Sequence, residues 1–350
     1  MKKILKLFIL IAVFSLTGCG NNNAKDILEK LEKKIKNANS YYIEGIMEII
    51  NNEDTYTYDV KASYQKGDYY KIELINTLNN HEQVILRNDD GVYVVTPSLN
   101  KSFKFQSDWP YNNSQVYLLN SILEDLLEDE ELEFKTKDDG YYFSSKVYYP
   151  NNSALTKQKV YIDKNSKVTK VEIVDKDGNI QIVMQFTKQE YNKKFDNKYF
   201  ELSELLNIEN NNQTNNKENS NTQENTNKET NKTETTATID DIIYPMYLPN
   251  NTYLTNQEKI NTEDGQRLIL TFSGDSSFVL VEETTKTHDE GIIIPVNGEF
   301  DFLTGVIGVI GNNSLTWHNN GVDYYLASDT IATAELVEIA RSISVLPVSK

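Results

Sequence analysis

The stretch Tyr56-Thr57-Tyr58-Asp59-Val60-Lys61-Ala62-Ser63-Tyr64 decides the fold class of this 350-residue chain. Aromatic or aliphatic residues alternate with polar ones over its whole length. Successive side chains of a β-strand point to opposite faces, so a period of two predicts a strand with one buried and one solvated face. Strands of this kind are typical of an antiparallel sheet that covers a core on one side only.

Further strand signals follow this stretch, separated by turns such as Lys66-Gly67-Asp68 and Asp89-Asp90-Gly91. They fall at 72–74, 84–86, 92–95, 103–105, 147–149, 160–162, 168–174 and 180–186. Two amphipathic helices accompany them, one over about 24–38 and one over about 114–127. A few helices among alternating strands predict the α+β class, with an open antiparallel sheet curled around the helices.

Two segments carry a family resemblance. The first runs from Asp90 to Phe105 and continues into Asp108-Trp109-Pro110, and the second leads from Asp177-Gly178-Asn179 into 182–186. They resemble the LolA-like lipoprotein fold, in the version found in clostridial germination lipoproteins of the GerS type and shared by MucB/RseB periplasmic regulators. The resemblance covers about 24–206. It implies an N-terminal open antiparallel half-barrel, covered by helices, whose concave apolar face holds acyl chains in lipoprotein carriers.

That concave face is the candidate hydrophobic groove. Its predicted lining comes from alternate residues of the strands, which share one face of the sheet, and from the second helix. These residues are Tyr58, Val60, Ile72, Leu74, Phe105, Trp109, Ile122, Ile182, Met184 and Phe186. A closed core is the simpler explanation of each residue taken singly, so only the resemblance points to a groove. The carriers latch their groove with an arginine in an early strand, whereas Tyr41 to Ile50 contains none. This difference argues against a lipoprotein shuttle.

The segment 209–238 is predicted to separate two folded parts, 19–208 and 239–350. It contains only Asn, Gln, Thr, Lys, Glu, Ser and one Ala. Such a composition cannot bury enough apolar surface to offset the entropy lost on ordering. We therefore expect a disordered Asn-rich linker.

The second part is predicted to be a small α+β domain. A hairpin turns at Gly274-Asp275-Ser276, paired strands follow at 314–317 and 322–328, and an amphipathic helix covers 333–344. The strings 315–317 (Leu-Thr-Trp) and 339–342 (Ile-Ala-Arg-Ser) resemble an extracytoplasmic domain of unknown function. That domain occurs at the C-termini of Gram-positive membrane proteins, including anti-sigma factors. The resemblance implies a module and no particular reaction.

The first nineteen residues predict export and lipid anchoring. Lysines flank an apolar run over 4–16, which is too short for a transmembrane helix of about 20 residues and is typical of a signal peptide. The string Leu16-Thr17-Gly18-Cys19 resembles the lipobox of bacterial lipoproteins. The resemblance implies a signal peptide at 1–18, cleavage before Cys19 and diacylation of its thiol. The alternative is an ordinary signal peptide with an incidental cysteine, but Cys19 is the only cysteine in the chain.

Composition narrows the range of partners. A formal net charge of −17 argues against nucleic acid, which requires clustered Lys and Arg, and against a polybasic contact with anionic lipid. Arginine occurs only at Arg87, Arg267 and Arg341, while Lys, Asn and Ile are abundant. This usage is typical of a low-GC Gram-positive source. In a cell with one membrane, the lipid anchor would hold the protein on the outer face.

No motif for chemistry stands out. His81, His288 and His318 are scattered without ligand spacing, so we expect no metal and no cofactor. No nucleophile motif or phosphate-binding loop appears, so we expect no enzyme.

Three hypotheses follow for a non-enzymatic envelope lipoprotein. It binds a lipid or lipopeptide, it is a protein-binding scaffold for the envelope or for spore germination, or it is an envelope-stress sensor with a membrane-bound regulator as partner. An empty apolar groove would favour the first hypothesis. A filled groove with exposed apolar surface elsewhere would favour the second.

Overall fold

The computed structural model describes residues 24–51, 54–208, 239, 242–263, 265–303 and 305–343. The predicted signal peptide at 1–18, Cys19 and the predicted linker at 209–238 lie outside these residues. Their roles stay predictions.

The first sheet contains twelve strands and packs against two helices, α1 (Ala24–Lys36) and α2 (Leu119–Glu128). Its first eleven strands are β1 (Ser40–Asn51), β2 (Asp54–Gln65), β3 (Tyr69–Asn76), β4 (Glu82–Asn88), β5 (Gly91–Thr96), β6 (Lys101–Phe105), β7 (Glu133–Lys137), β8 (Gly140–Lys146), β9 (Leu155–Asp163), β10 (Val168–Asp175) and β11 (Ile180–Tyr191). These strands pair antiparallel in the order β6-β5-β4-β3-β2-β1-β11-β10-β9-β8-β7. Every strand that the alternating pattern predicted in this region is present except the signal at 147–149, which follows the end of β8.

The second sheet contains seven strands and packs against the helix α3 (Thr333–Arg341). Its strands are β12 (Thr252–Thr262), β13 (Gly265–Gly274), β14 (Phe278–Thr284), β16 (Glu299–Phe302), β17 (Ile307–Ile310), β18 (Ser314–Asn319) and β19 (Val322–Ala327). The predicted hairpin is β13–β14, and the predicted pair of late strands is β18–β19. Two open sheets with few helices confirm the predicted α+β class for the described residues.

The central strand pair of the first sheet is irregular. The pairing of β1 with β11 shifts register between Glu44 and Gly45, as in a β-bulge. A Cβ atom on Gly45 would lie 2.3 Å from the carbonyl oxygen of Gln185, so only glycine fits the close backbone approach. A bulge bends its strand and increases the local twist. The inner face of the curled sheet then closes over Ile27, Leu31 and other buried residues of α1 and α2.

The predicted start of the second helix is wrong. The pattern predicted a helix from about 114, but α2 begins at Leu119, and Leu118 is still extended. The backbone N–H of Ser114 donates to the carbonyl of Tyr148, and that of Gln115 donates to the Ser121 hydroxyl at 2.8 Å. These bonds tie the preceding loop to its neighbours, and they replace the first helical turn.

One strand of the C-terminal part joins the first sheet, a connection that no sequence pattern indicated. Strand β15 (Ile292–Val296) pairs in parallel with β6, and Ile294 lies opposite Phe103. The next strand, β16, belongs to the second sheet. The chain therefore crosses from one sheet to the other between Val296 and Glu299, and the two parts are packed together.

Candidate functional site

The predicted groove residues meet in one hydrophobic cluster on the concave face of the first sheet. Nine of the ten are at most 8% exposed, and Phe186 packs against the same cluster while partly buried. The side chains that the sequence pattern assigned to one face therefore lie together in one cluster. The face is closed, however, and the side chains that close it come from the C-terminal part.

Phe300 and Phe302, both in β16, fill the concave face. The ring of Phe300 lies 5.2 Å from that of Phe105 and 5.9 Å from that of Trp109, measured between centroids. The ring of Phe302 lies 6.1 Å from that of Tyr58. Edge-to-face and tilted contacts at such distances are the favoured geometry of packed aromatic side chains. The concave face is thus a core shared by the two parts.

Buried amide side chains hold the two parts together at the rim of this core. The side chain of Gln83 accepts from the backbone N–H of Ile307 at 2.6 Å and donates to its carbonyl at 3.1 Å. Nearby, the Asn76 amide donates to the carbonyl of Gly305 at 3.1 Å. Gln83 is only 6% exposed and Asn76 only 4%. A buried polar group without a hydrogen-bond partner costs free energy. Each amide therefore favours the one packing of the two parts in which its hydrogen bonds are made.

Asn100 makes a third connection, at the start of β6. Its amide nitrogen donates to the carbonyls of His288 and Asp289, and its side-chain oxygen accepts from the backbone N–H of Asn207. The residue has a positive φ of 53°, a conformation that asparagine tolerates better than most residues. Its own carbonyl accepts from Ile292, which begins β15. Sequence reasoning missed these amides because single Asn and Gln residues carry no pattern.

Two of the three histidines, predicted to be scattered, meet where the two parts touch. The rings of His81 and His318 lie 5.2 Å apart. Burial, and the neighbouring His318, lower the pKa of His81 to about 4. His318 contacts the Thr285 hydroxyl at 2.8 Å and the Asp323 carboxylate at 3.1 Å through Nδ1. An uncharged His81 ring suits this buried contact.

Among the residues that the structure describes, no group of three or more His, Cys, Asp or Glu residues has a metal-binding arrangement. Over the same residues, no helix combines the length and the apolarity required to cross a membrane.

Arg87, the one arginine of the first part, secures the segment that carries Trp109. It lies in β4 and donates to the backbone carbonyl of Trp109. Its guanidinium also lies over the ring of Tyr111, 5.4 Å from the centroid. The sequence did not predict this contact, because Arg87 and Trp109 are far apart in the chain.

An open cleft of about 710 Å³ lies between the two parts, beside the filled face. The first part contributes the ends of β1 and β11 and the loop before β9: Ile49, Ile50, Asn51, Tyr149 to Leu155, Gln181 and Ile182. The C-terminal part contributes β16 and the polar side of α3: Tyr247, Asp301, Phe302, Leu303, Ala334, Glu335, Glu338 and Arg341. Apart from Ile182, these residues were not predicted as a site.

Arg341 ties the walls of this cleft together. Its guanidinium donates to the carboxylates of Asp301 at 3.3 Å and Glu338 at 3.1 Å. It also donates to the carbonyl of Asn151 in the first part. The amide of Asn51 donates to the carbonyl of Arg341 in turn. Burial raises the pKa of Asp301, and the charge of Arg341 opposes that shift.

A smaller space of about 30 Å³ continues from the cleft toward the concave face. Tyr149, Ile182, Asp301 and Phe302 line both spaces, so these side chains alone separate them. A volume of 30 Å³ is about that of one water molecule. Little of the predicted groove is therefore empty.

A half-buried carboxyl group, that of Asp125, contacts Ser114, which lines this inner space. Burial raises the pKa of Asp125 to about 7, although a hydrogen bond from the Ser114 hydroxyl acts against the shift. The hydroxyl of Tyr149 is buried nearby and has no hydrogen-bond partner among the described residues. Asp125 lies in α2, Ser114 in the loop before it and Tyr149 in the loop after β8, so three separate segments form this polar cluster.

Two open sheets that pack against each other, with a cleft between them, define a two-part α+β fold. The chain belongs to the sporulation protein YdcC-like family, whose model matches residues 1–200. It is 35% identical over 352 residues to the sporulation protein YdcC of Bacillus subtilis (strain 168), and the match covers 98% of each chain.

Solved structures that align with this chain include the proteins that the sequence resemblance named. The MucA/MucB complex of Pseudomonas aeruginosa matches at 12% identity and a TM-score of 0.33, over 91% of this chain and 97% of the other. A LolA superfamily protein of Nitrosomonas europaea matches at 13% identity and 0.31, over 52% and 99%. The complex of the CwlD amidase with the GerS lipoprotein from Clostridioides difficile matches at 19% identity and 0.27, over 51% and 99%. At such TM-scores, function has to be argued from this chain's own geometry.

Proposed function

We propose that this chain is a membrane-anchored extracytoplasmic lipoprotein, without enzymatic activity, that binds a protein partner in the cell envelope. The observation that carries the proposal is the filled concave face. A lipid or lipopeptide site needs an apolar cavity of several hundred Å³, whereas the inner space has about 30 Å³. For acyl chains to enter, Phe300 and Phe302 would have to leave the core.

Exposed apolar side chains also favour a protein partner. Met246 is 85% exposed and Tyr247 is 43% exposed, and Tyr247 lines the open cleft. Neighbouring exposed apolar and aromatic side chains on a soluble part are typical of protein-binding surfaces. A filled groove combined with such a surface supports the scaffold hypothesis over the lipid-binding one.

The name of the Bacillus subtilis relative suggests when the partner is met. We propose that the partner lies in the envelope of the sporulating cell. The test is capture of partners by the tagged, lipidated chain from sporulating cells, with growing cells as the comparison. A stoichiometric envelope protein supports a scaffold, and a membrane-bound transcriptional regulator would make the chain a stress sensor instead. Recovery of bound lipid without any protein would contradict both.

The proposed anchor is Cys19, carrying two acyl chains on the outer face of the membrane. Two chains anchor stably where one is marginal, and the net charge of −17 offers no electrostatic attachment to anionic lipid. Cys19→Ala should therefore release the protein from the membrane fraction while its circular dichroism spectrum stays unchanged. Equal retention of the variant in cell fractionation would refute the anchor.

A further inference from the structure

We infer that the cleft between the two parts is the partner site, and that it takes an extended polypeptide segment carrying Lys or Arg side chains. The inference rests on the proposed function, because it says where the partner binds and with what chemistry. Three features of the cleft support it: its shape, its charge and its hydrogen-bonding groups.

The cleft is lined by two chemically different kinds of side chain. Ile49, Ile50 and Phe302 are apolar, whereas Glu335 and Glu338 of α3 are acidic. Successive side chains of an extended segment point in opposite directions. A segment that alternates apolar and charged residues therefore suits both kinds of lining.

The charged side chains that line the cleft select a cation. Asp301, Glu335 and Glu338 supply three carboxylates to the cleft, and Arg341 supplies its one guanidinium. Arg341 already contacts two of these carboxylates, Asp301 and Glu338. Glu335 accepts a hydrogen bond from the Tyr247 hydroxyl at 3.2 Å, which leaves its charge uncompensated by that contact. The excess of negative charge attracts Lys and Arg and repels acidic segments.

Amide and aromatic side chains complete the match to a basic polypeptide. Asn151, Asn152 and Gln181 line the cleft. The Asn152 side chain accepts from the backbone N–H of Ala154 and the Gln181 side chain donates to Asp175, so the cleft gains the Asn152 amide nitrogen as a donor and the Gln181 amide oxygen as an acceptor for a peptide backbone. Tyr149 and Tyr247 also line it. Their ring faces favour a nearby ammonium or guanidinium group. A phosphate-bearing polymer would face the same carboxylates as like charges.

The test uses the full chain with Cys19→Ser and two fluorescein-labelled nonapeptides. Both peptides have valine or threonine at odd positions, and the even positions are lysine in one and glutamate in the other. Fluorescence anisotropy should show saturable binding of the lysine peptide and none of the glutamate peptide. Glu335→Gln with Glu338→Gln should weaken lysine-peptide binding by about tenfold or more, since two charges of the contact are removed.

The matched control is Glu29→Gln with Glu32→Gln, because these residues have the same spacing on the helix α1, away from the cleft. This variant changes the net charge equally and should bind the lysine peptide like the unchanged chain. An equal loss in the control would show unspecific attraction to an acidic protein and would overturn the inference. Absence of saturable lysine-peptide binding, or equal binding of the glutamate peptide, would overturn it as well.

The failure of this inference is distinguishable from that of the proposed function. If the variant with Glu335→Gln and Glu338→Gln captures the same envelope protein as the unchanged chain, the scaffold function stands and the cleft is not its site. If the unchanged chain captures no protein at all, the proposed function itself fails.

Discussion

The concave face of the first sheet and the cleft beside it are adjacent, but the face is filled and the cleft is open. Both are lined by β1 and β11, and both include Ile182 and Phe302. The concave face is filled by aromatic side chains from β16, whereas the cleft faces the charged side of α3 and stays open. An apolar curved sheet therefore becomes core or binding surface according to what the rest of the chain places against it.

The largest effect should come from emptying the filled face. Phe300 is 8% exposed and packs between Phe105 and Trp109. Phe300→Ala should lower the free energy of unfolding by about 3–5 kcal/mol, because it removes buried apolar area and leaves a cavity. Tyr247→Ala in the cleft should cost less than about 1 kcal/mol. Urea denaturation of both variants measures how much free energy of unfolding each one loses. Equal losses would contradict a core shared by the two parts.

The next largest effect should be a pH dependence of the free energy of unfolding, caused by Asp125. With a pKa raised from 3.8 to about 7, Asp125 keeps its proton in the folded state where the unfolded chain has lost it. Its stabilising contribution is complete below pH ~4 and is lost as the pH rises through ~7.

Asp125→Asn removes this titration. The unfolding free energy of the unchanged chain, minus that of the variant, should fall by about 2–4 kcal/mol between pH 4 and 8. A flat difference for Asp125 would mean that its carboxyl is solvated.

Enlarging a side chain should also affect the two regions differently, with a smaller difference in the free energy of unfolding than Phe300→Ala and Tyr247→Ala give. Val60 is 1% exposed on the concave face, whereas Ile50 lines the cleft. Val60→Trp should overpack the core and cost about 1–3 kcal/mol. Ile50→Trp should change the free energy of unfolding by less than about 0.5 kcal/mol, because open space accepts the ring. Thermal unfolding of both variants checks this, and tolerance of tryptophan at Val60 would indicate an empty groove.

The smallest change is expected from cutting the chain between the two parts. The sequence predicts a disordered linker at 209–238, so limited proteolysis should cut there first. Because β15 pairs with β6 and Gln83 binds Ile307, the two fragments should stay together. Size-exclusion chromatography should show an unchanged elution volume. Separate elution would mean that the two parts do not hold each other.

The features that the sequence predicted are local, whereas those that it missed are contacts between residues far apart in the chain. Alternation in β2 and β3 placed Val60 and Leu74 on the buried face correctly, because a strand's period of two is a local property. The contact of Gln83 with Ile307 joins residues 224 positions apart, and no sequence pattern near either residue predicts it.

The same limit applies to the candidate site. β15 is a short apolar run interrupted by Pro295, with no period that would assign it to a sheet. Glu338 and Arg341 look like the ordinary polar side of an amphipathic helix. They become part of a cleft only when α3 is placed opposite β1 and β11. The sequence therefore predicted neither the side chains that fill the concave face nor the opening beside it.

The most direct test of the central claim is titration of the soluble Cys19→Ser chain with a fluorescent fatty acid such as cis-parinaric acid. If the concave face is a core shared by the two parts, the chain should show no saturable binding of the acyl chain. One-to-one saturable binding that Val60→Trp abolishes would show that the face opens to lipid, and it would contradict this account.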